Sequence, residues 1–212
     1  MDAVVFDLDG VLVDSEQIWD EVRRAYVAGH GGTWTDEATR AQQGMSTPEW
    51  AEYLAGLGVS LPPERIAEEV IERMVARYAA GPPVIAGGPE AVRAVGAAYP
   101  VAIASSSPQV LITSFLVATG LEDLVKVALS SEKVAKGKPA PDVYLEATRL
   151  LGVDASRCAA VEDTTNGLKA ALAAGMTVYA VPNPHFPPDP AVLAQAAAVL
   201  GEIGELPGIM GL

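Results

Sequence analysis

Short, almost continuously apolar runs alternate with amphipathic stretches along most of this chain. Runs of Val, Ile, Ala and Leu without regular polar alternation predict strands that are covered on both faces, as in a parallel sheet. Predicted strands span residues 3–7, 100–105, 125–129, 158–162 and 177–181, and predicted helices span residues 89–98, 109–119, 141–151 and 166–174. This alternation predicts an α/β fold, a doubly wound and mainly parallel sheet with a Rossmann-like core.

One segment breaks the alternation. From Glu16 to about Tyr78 the sequence has helical patterns without a convincing strand, and a stretch rich in Pro and Gly follows it. We therefore predict that residues 1–15 and 84–212 form the core and that residues 16–83 form a small inserted helical cap domain. Ligands of open α/β sheets bind outside the carboxyl ends of the strands. An insert that leaves from the end of the first strand is expected to cover such a site.

The charge balance limits the partners of this chain. It carries 27 acidic and 14 basic residues, a formal net charge of −13. Nucleic-acid binding depends on clustered Lys and Arg, so a nucleic-acid partner is not expected. No apolar run approaches the ~18 residues of a membrane span, and no basic segment of a signal peptide opens the sequence. We expect a cytoplasmic protein without a membrane partner, and nothing in the sequence demands more than a monomer.

Polar residues gather where the predicted strands end. Asp7 and Asp9 end the first strand, the second strand ends in "ASSSP" (104–108), "KGKPAPD" (136–142) follows the third, and "VEDTTNG" (161–167) ends the fourth. Each motif alone also has a structural interpretation, because Ser, Thr and Asp commonly cap helices. Since parallel strands carry their carboxyl ends at one edge of the sheet, the four motifs together predict a ligand site there.

The chemistry that suits these residues is phosphoryl transfer. One carboxylate can act as the nucleophile and form an aspartyl-phosphate, while a second moves the proton of the leaving group and of water. Several carboxylates beside a phosphate require a divalent cation, and Mg²⁺ prefers such oxygen ligands. Lys138 and the hydroxyl of Ser105 are expected to complete the shell around the phosphate.

These motifs resemble those of the haloacid dehalogenase superfamily, in the branch of β-phosphoglucomutase-like enzymes and sugar-phosphate phosphatases with a helical cap. The resemblance rests on "FDLDGVLVDSE", "IASSS", "GKPAPDVY" and "VEDTTNG", which occur in the order of the four family motifs. It implies a Mg²⁺-dependent phosphatase that hydrolyses a small phosphorylated metabolite, such as a sugar phosphate, through an aspartyl-phosphate.

The resemblance also implies a role for each matching position. Asp7 would be the nucleophile and a metal ligand, and Asp9 would be the general acid and base and would bind the metal through its backbone carbonyl. Lys138 would neutralise the phosphoryl group. The remaining implied roles are phosphoryl binding by Ser105, Ser106 and Gly10, and metal binding by Asp163 and Glu162. Asp14 fits a structural role at the start of the next helix.

Substrate choice is expected to depend on the cap. Phosphomutases of this branch carry basic residues where this chain has Gln43 and Thr47, a histidine at the position of Trp19 and a lysine at that of Pro108. These differences favour a phosphatase over the alternative of a phosphomutase. Trp19, Gln43, Thr47 and Trp50 are expected to contact the substrate, although both tryptophans also fit the core of the cap.

A third interpretation is a non-enzymatic, receiver-like module that binds phosphate. Such modules also combine an acidic cluster with a lysine. They do not need Asp9 as an acid and base, nor an insert of about 60 residues beside the site.

Overall fold

The computed structural model describes residues 1–42, 45–183 and 187–212. In this part of the chain a parallel sheet of six strands has the order β3-β2-β1-β4-β5-β6. The strands are β1 (Ala3–Phe6), β2 (Val101–Ser105), β3 (Val125–Ser130), β4 (Cys158–Glu162), β5 (Thr177–Ala180) and β6 (Ala198–Val199). The predicted fold class, a parallel α/β sheet with a Rossmann-like core, is confirmed.

The central strands explain why the apolar runs are continuous. Val4 and Phe6 of β1 pack into the apolar cluster on one face of the sheet, whereas Ala3 and Val5 pack into the cluster on the other face. All four side chains are fully buried. A strand that is covered on both faces has no position for a polar side chain until it reaches the edge of the sheet.

The helices lie between and beyond the strands. They are α1 (Glu16–Gly29), α2 (Asp36–Ala41), α3 (Thr47–Gly56), α4 (Pro63–Ala79), α5 (Gly88–Gly96), α6 (Gln109–Thr119), α7 (Asp142–Leu151), α8 (Thr165–Ala173), α9 (Pro190–Leu193) and α10 (Leu206–Ile209). No helix in the described ranges is both long enough and apolar enough to cross a membrane.

The structure differs from the sequence prediction in one additional strand and in the bounds of several elements. The strand β6 was not predicted, because its two residues, Ala198 and Val199, are too few to show a strand pattern. The first strand ends at Phe6, one residue earlier than predicted. Asp7 therefore lies just beyond the strand, although its N–H still donates to Val161 O of β4 at 2.9 Å.

The helices α1 to α4 fall within the predicted cap. Of these, α1, α3 and α4 share an apolar cluster, which also takes in Leu111 of α6. The chain enters and leaves this segment at neighbouring points. Val13 and Val84 form an antiparallel bridge, and the N–H of Asp14 donates to Pro83 O at 2.8 Å. The division into a core and a cap at residues 16–83 remains a prediction.

Candidate active site

Three neighbouring strands carry the candidate site. β1 pairs with β2 on one side and with β4 on the other, and Phe6 is in register with both Ile103 and Val161. The residues that follow these positions are therefore brought to the same edge of the sheet. This register places Asp7 level with Glu162, and Ser105 lies one residue further along β2. The three residues meet at the edge where the sequence predicts the site.

Lys138 forms the electrostatic centre of the site. Its Nζ lies 2.8 Å from Asp7 Oδ1 and 2.6 Å from Glu162 Oε1, and all three side chains are buried. The contact with Glu162 is a hydrogen bond, whereas the contact with Asp7 is an ion pair without hydrogen-bond alignment. Burial alone would lower the pKa of Lys138, but the charges of Asp7 and Glu162 outweigh burial and raise this pKa above its usual value.

Glu162 is held from three directions. Its Oε1 accepts hydrogen bonds from Lys138 and from the Tyr144 hydroxyl, each at 2.6 Å, and its Oε2 accepts the N–H of Asp163 at 3.1 Å. Both carboxylate oxygens are thus engaged by the protein. The arrangement fixes Glu162, which in turn fixes the ammonium group beside Asp7. Tyr144 was missed by the sequence analysis, although it lies in the quoted segment "GKPAPDVY".

Asp9 is oriented by two serines. The Ser105 hydroxyl donates to Asp9 Oδ2 at 3.1 Å, and the Ser15 hydroxyl donates to Asp9 Oδ1. Ser105 also accepts the N–H of Ser107 at 2.9 Å and is fully buried. In this structure Ser105 therefore positions Asp9, and its predicted contact with a phosphoryl group remains a prediction. Ser15 was also missed, because the N-terminal position of a helix predicts a capping role for serine.

Asp7, Glu162 and Asp163 form an acidic cluster whose negative charge is only partly neutralised by Lys138. One carboxylate oxygen from each of Asp7, Glu162 and Asp163 lies within 4.8 Å of the others. Asp7 Oδ1 and Asp163 Oδ1 are buried and accept no hydrogen bond from the part of the chain that the structure describes. Burial raises the pKa of Asp7 to about 8, and burial together with the charge of Glu162 raises the pKa of Asp163 well above its usual value. Buried carboxylate oxygens that accept no hydrogen bond are the ligand set that a hard divalent cation such as Mg²⁺ prefers, so these residues fit the predicted metal.

Two glycines make room for the carboxylates. A Cβ atom at Gly10 would lie 1.9 Å from Asp163 Oδ2, and the φ of Gly10 is +80°. A Cβ atom at Gly167 would lie 1.9 Å from the Cδ atom of Glu162. Gly10, predicted to bind phosphate, thus has a packing role next to Asp163. Gly167 was missed, although it closes the quoted motif "VEDTTNG".

We expect Gly167→Ala to lower both the free energy of unfolding and kcat, because the added methyl group displaces the Glu162 carboxylate and with it Lys138. Overpacking of this kind costs about 1–3 kcal/mol, and we expect kcat to fall about tenfold or more as the contact with Asp7 loosens. Urea unfolding and steady-state kinetics measure the two effects.

The matched control is Gly56→Ala in α3, where a Cβ atom meets nothing within 4 Å. Alanine favours a helix over glycine by up to about 1 kcal/mol, so this variant should be as stable as the wild type or more stable, with unchanged kcat. A Gly167→Ala protein that matches the control in both measurements contradicts the assigned role of Gly167.

A cavity of about 480 Å³ lies over the acidic cluster. Its walls combine the cluster with residues of α1 and α3. The predicted residues that line it are Asp7, Asp9, Trp19, Thr47, Trp50, Ser106, Lys138 and Asp163. The Thr47 hydroxyl also donates to Glu132 Oε1 at 3.1 Å. Gln43 lies outside the described residues.

The two tryptophans of the predicted cap are core residues that also face the cavity, and their contact with a substrate remains a prediction. Trp19 and Trp50 belong to the apolar cluster of α1, α3 and α4, with ring centroids 6.0 Å apart, and both also line the cavity. Asp14 is exposed at the rim, and its N–H donates to Pro83 O. The residue at the N-terminal cap of α1 is Ser15, and no described side chain caps that helix.

Residues 1–175 match the profile of the haloacid dehalogenase-like hydrolases. The chain belongs to this family. The predicted family is confirmed, and so is the prediction of a hydrolase.

Other members of this hydrolase family are similar over nearly the whole chain. Hexitol phosphatase B of Escherichia coli K12 is 32% identical, and the match covers 89% of this chain and 86% of that protein. Validoxylamine A 7'-phosphate phosphatase of Streptomyces hygroscopicus subsp. limoneus is 30% identical over 95% of this chain and 94% of its own. The crystal structure of CbbY from Rhodobacter sphaeroides in complex with phosphate has a TM-score of 0.86 at 26% identity and covers 97% and 96% of the two chains.

Proposed function

We propose that this hydrolase is a Mg²⁺-dependent phosphatase that acts on a small phosphorylated metabolite, such as a sugar phosphate, through an aspartyl-phosphate at Asp7. The observation that carries the proposal is the placement of Asp7 at the floor of the cavity, with Lys138 2.8 Å away and Asp9 lining the same cavity. A nucleophile, a proton carrier and a cation are the groups that this reaction requires.

The first half of the reaction transfers the phosphoryl group to the enzyme. A carboxylate oxygen of Asp7 attacks phosphorus, and the bond between phosphorus and the leaving oxygen breaks. Protonated Asp9 gives its proton to that oxygen, so the product leaves as a neutral alcohol. The hydroxyls of Ser15 and Ser105 hold Asp9 in the required orientation throughout.

The second half releases phosphate. Asp9, now a carboxylate, takes a proton from a water molecule while the water oxygen attacks phosphorus. The bond between phosphorus and Asp7 breaks, which restores the Asp7 carboxylate and the protonated Asp9. Lys138 stays paired with Glu162, so its charge remains beside the phosphoryl oxygens during both halves.

Asp7 and Asp163, with the backbone carbonyl of Asp9, would hold the metal, and the metal when bound supplies positive charge that offsets the charge of the phosphoryl group. Glu162, predicted as a further ligand, already accepts hydrogen bonds at both oxygens. Direct binding of the metal by Glu162 remains a prediction.

Two observations favour a phosphatase over the alternatives. Relatives such as hexitol phosphatase B are phosphatases by name and match most of this chain. Thr47 and Pro108, which stand where phosphomutases carry basic residues, line the cavity without adding a cation. A receiver-like module has no use for a cavity with tryptophans on the wall opposite the carboxylates.

The test of the proposal is a screen for phosphate release from phosphorylated sugars, phosphoglycolate and nucleotides, with Mg²⁺ and with chelator. We expect release from one substrate class that depends on Mg²⁺ and needs no bisphosphate. An obligatory requirement for a bisphosphate activator supports the phosphomutase instead. Absence of turnover with every substrate class, by a protein that still binds phosphate, supports the receiver-like module.

We expect Mg²⁺ to bind more tightly as pH rises towards about 8. The raised pKa of Asp7 means that the metal-free folded protein holds a proton that the unfolded chain loses near 3.8. The stability of the metal-free protein therefore falls as pH rises from about 4 to about 8, and Mg²⁺ must displace that proton. Titration calorimetry in buffers of different ionisation enthalpy should show proton release on binding below about pH 8. A Mg²⁺ affinity that is independent of pH, with no proton release, contradicts this prediction.

A further inference from the structure

One face of α1 lines the cavity with polar and aromatic side chains. Glu16, Trp19, Asp20 and Arg23 are spaced by three, four and seven residues from the first, which places them on the same side of a helix. All four line the cavity above the acidic cluster. The leaving group of a substrate whose phosphate lies at Asp7 must therefore meet this face.

Arg23 is held in place by aromatic rings but makes no hydrogen bond or ion pair with a described residue. Its guanidinium carbon lies 4.5 Å from the ring centroid of Trp19 and 4.9 Å from that of Trp50. Its Nε is buried without a hydrogen-bond partner, and no described carboxylate lies within 4.0 Å of the guanidinium group. The two cation–π contacts hold the guanidinium group over the rings, and its hydrogen-bond donors, which reach no described acceptor, remain available to a ligand in the cavity.

Glu16 is the complementary acceptor. Its half-buried carboxylate forms no hydrogen bond with any described residue, and it lines the same cavity as Arg23. Asp20 differs, because it already accepts hydrogen bonds from Thr39 at 2.7 Å and from Arg24 at 3.1 Å. Two turns of one helix therefore present one donor group and one acceptor group, neither of which is hydrogen-bonded to a residue that the structure describes.

We propose that Arg23 and Glu16 determine the substrate specificity of the site by binding hydroxyl groups of a neutral, polyhydroxylated leaving group. Arg23 donates to a hydroxyl oxygen, and Glu16 accepts a hydroxyl hydrogen. This inference rests on the proposed phosphatase function. It adds the two residues that recognise the part of the substrate remote from the phosphate.

The charges around the cavity decide between a neutral and an anionic leaving group. A second phosphate or a carboxylate would satisfy Arg23, but it would also lie beside Glu16, Asp20 and Asp14, which line the same cavity. Like charges in a partly buried site repel strongly. A hydroxyl group donates and accepts, so a polyol satisfies Arg23 and Glu16 at once without adding charge. The pair therefore selects for hydroxyl groups and against a second anion.

Three substrates of equal chain length separate these possibilities: a hexitol monophosphate, n-hexyl phosphate and a phosphohexonate, which carries a carboxylate at the far end. For the wild type we expect kcat/KM for the hexitol monophosphate to exceed kcat/KM for n-hexyl phosphate and for the phosphohexonate by about tenfold or more. This is the size of effect expected when a hydrogen bond to a charged group is lost. Phosphate release from any of the three that Asp7→Asn abolishes supports the phosphatase function itself.

Arg23→Gln should reduce the preference for the hexitol monophosphate over n-hexyl phosphate about tenfold or more, mainly through KM. Arg23→Lys should lose most of the same preference, because an ammonium group lacks the planar stacking of guanidinium. Glu16→Gln should raise the relative kcat/KM for the phosphohexonate, since it removes a repelling charge. Matched controls are Arg65→Gln and Glu52→Gln, both exposed on helices of the predicted cap. They should leave the kcat/KM ratios among the three substrates unchanged.

The kcat/KM ratios among the three substrates also define the results that overturn the proposal. If Arg23→Gln keeps the wild-type preference for the hexitol monophosphate, Arg23 does not bind hydroxyl groups. If the wild type prefers the phosphohexonate and Arg23→Gln removes only that preference, Arg23 binds an anion and the inference is wrong. Should Arg23→Gln fold poorly, Glu16→Gln still tests the proposal, because an unchanged discrimination against the phosphohexonate contradicts it.

Discussion

Asp7→Asn should reduce kcat for phosphate release roughly 10⁴-fold or more, the scale of loss seen when an enzyme loses its nucleophile. The carboxamide keeps the size and the hydrogen-bonding capacity of the side chain, but it cannot form the aspartyl-phosphate. Positioning by Lys138 and the rest of the cavity remains, so substrate binding should persist. Rapid quenching with radiolabelled substrate should show label on the wild-type protein and none on the variant.

The matched control for this loss is Asp14→Asn, which removes an exposed carboxylate from the same loop. It should retain kcat within a few-fold of the wild type. Hydrolysis by Asp7→Asn at a rate near that of the wild type contradicts the covalent mechanism, and an equal loss in both variants points to the general charge of the loop rather than to the nucleophile.

Asp7→Asn should also change how the free energy of unfolding depends on pH. This measurement tests the role of Asp7 in folding independently of its role in turnover. In chelator the wild-type protein loses stability between about pH 4 and about pH 8, because the pKa of Asp7 is raised to about 8 mainly by burial. A single group of this kind contributes a slope of up to about 1.4 kcal/mol per pH unit. Asparagine does not titrate, so the slope of unfolding free energy against pH should become less negative in the variant.

The architecture of the site was predictable from the sequence because it depends on sheet geometry. Continuous apolar runs identified β1, β2 and β4, and parallel strands that lie side by side must bring their carboxyl ends together. The proximity of Asp7, Lys138 and Asp163 follows from that rule, since each lies in a motif that follows a strand. No detail of side-chain conformation was needed to expect it.

The contacts that orient the site were not predictable in the same way. The Ser105 hydroxyl donates to Asp9 rather than lying free in the cavity, and this depends on side-chain rotamers. Tyr144 reaches Glu162 from a helix on another part of the chain. The guanidinium group of Arg23 lies over the rings of Trp19 and of Trp50 from α3, and only the packing of the two helices brings those rings together. Sequence spacing alone does show that Glu16, Trp19 and Arg23 share a face of α1.

Lys138→Met should cause the second large loss, and it should affect both activity and stability. The ammonium group lies within 2.8 Å of two buried carboxylates. Removing one partner of a buried ion pair typically costs about 3–5 kcal/mol, because the remaining charge is left uncompensated. We expect a loss of about 3 kcal/mol in metal-free protein and a fall in kcat of about 10³-fold, on the scale of other groups that stabilise charge in the transition state.

The double variant Lys138→Met with Glu162→Gln separates the two roles of the lysine. Glutamine at position 162 needs no countercharge and still offers polar atoms to Tyr144 and to the N–H of Asp163, so the double variant should regain much of the stability lost in Lys138→Met. Activity should stay as low as in Lys138→Met, because the cation beside the phosphoryl group is still missing. If activity returns together with stability, Lys138 serves only to neutralise Glu162, and its assignment to the phosphoryl group is wrong.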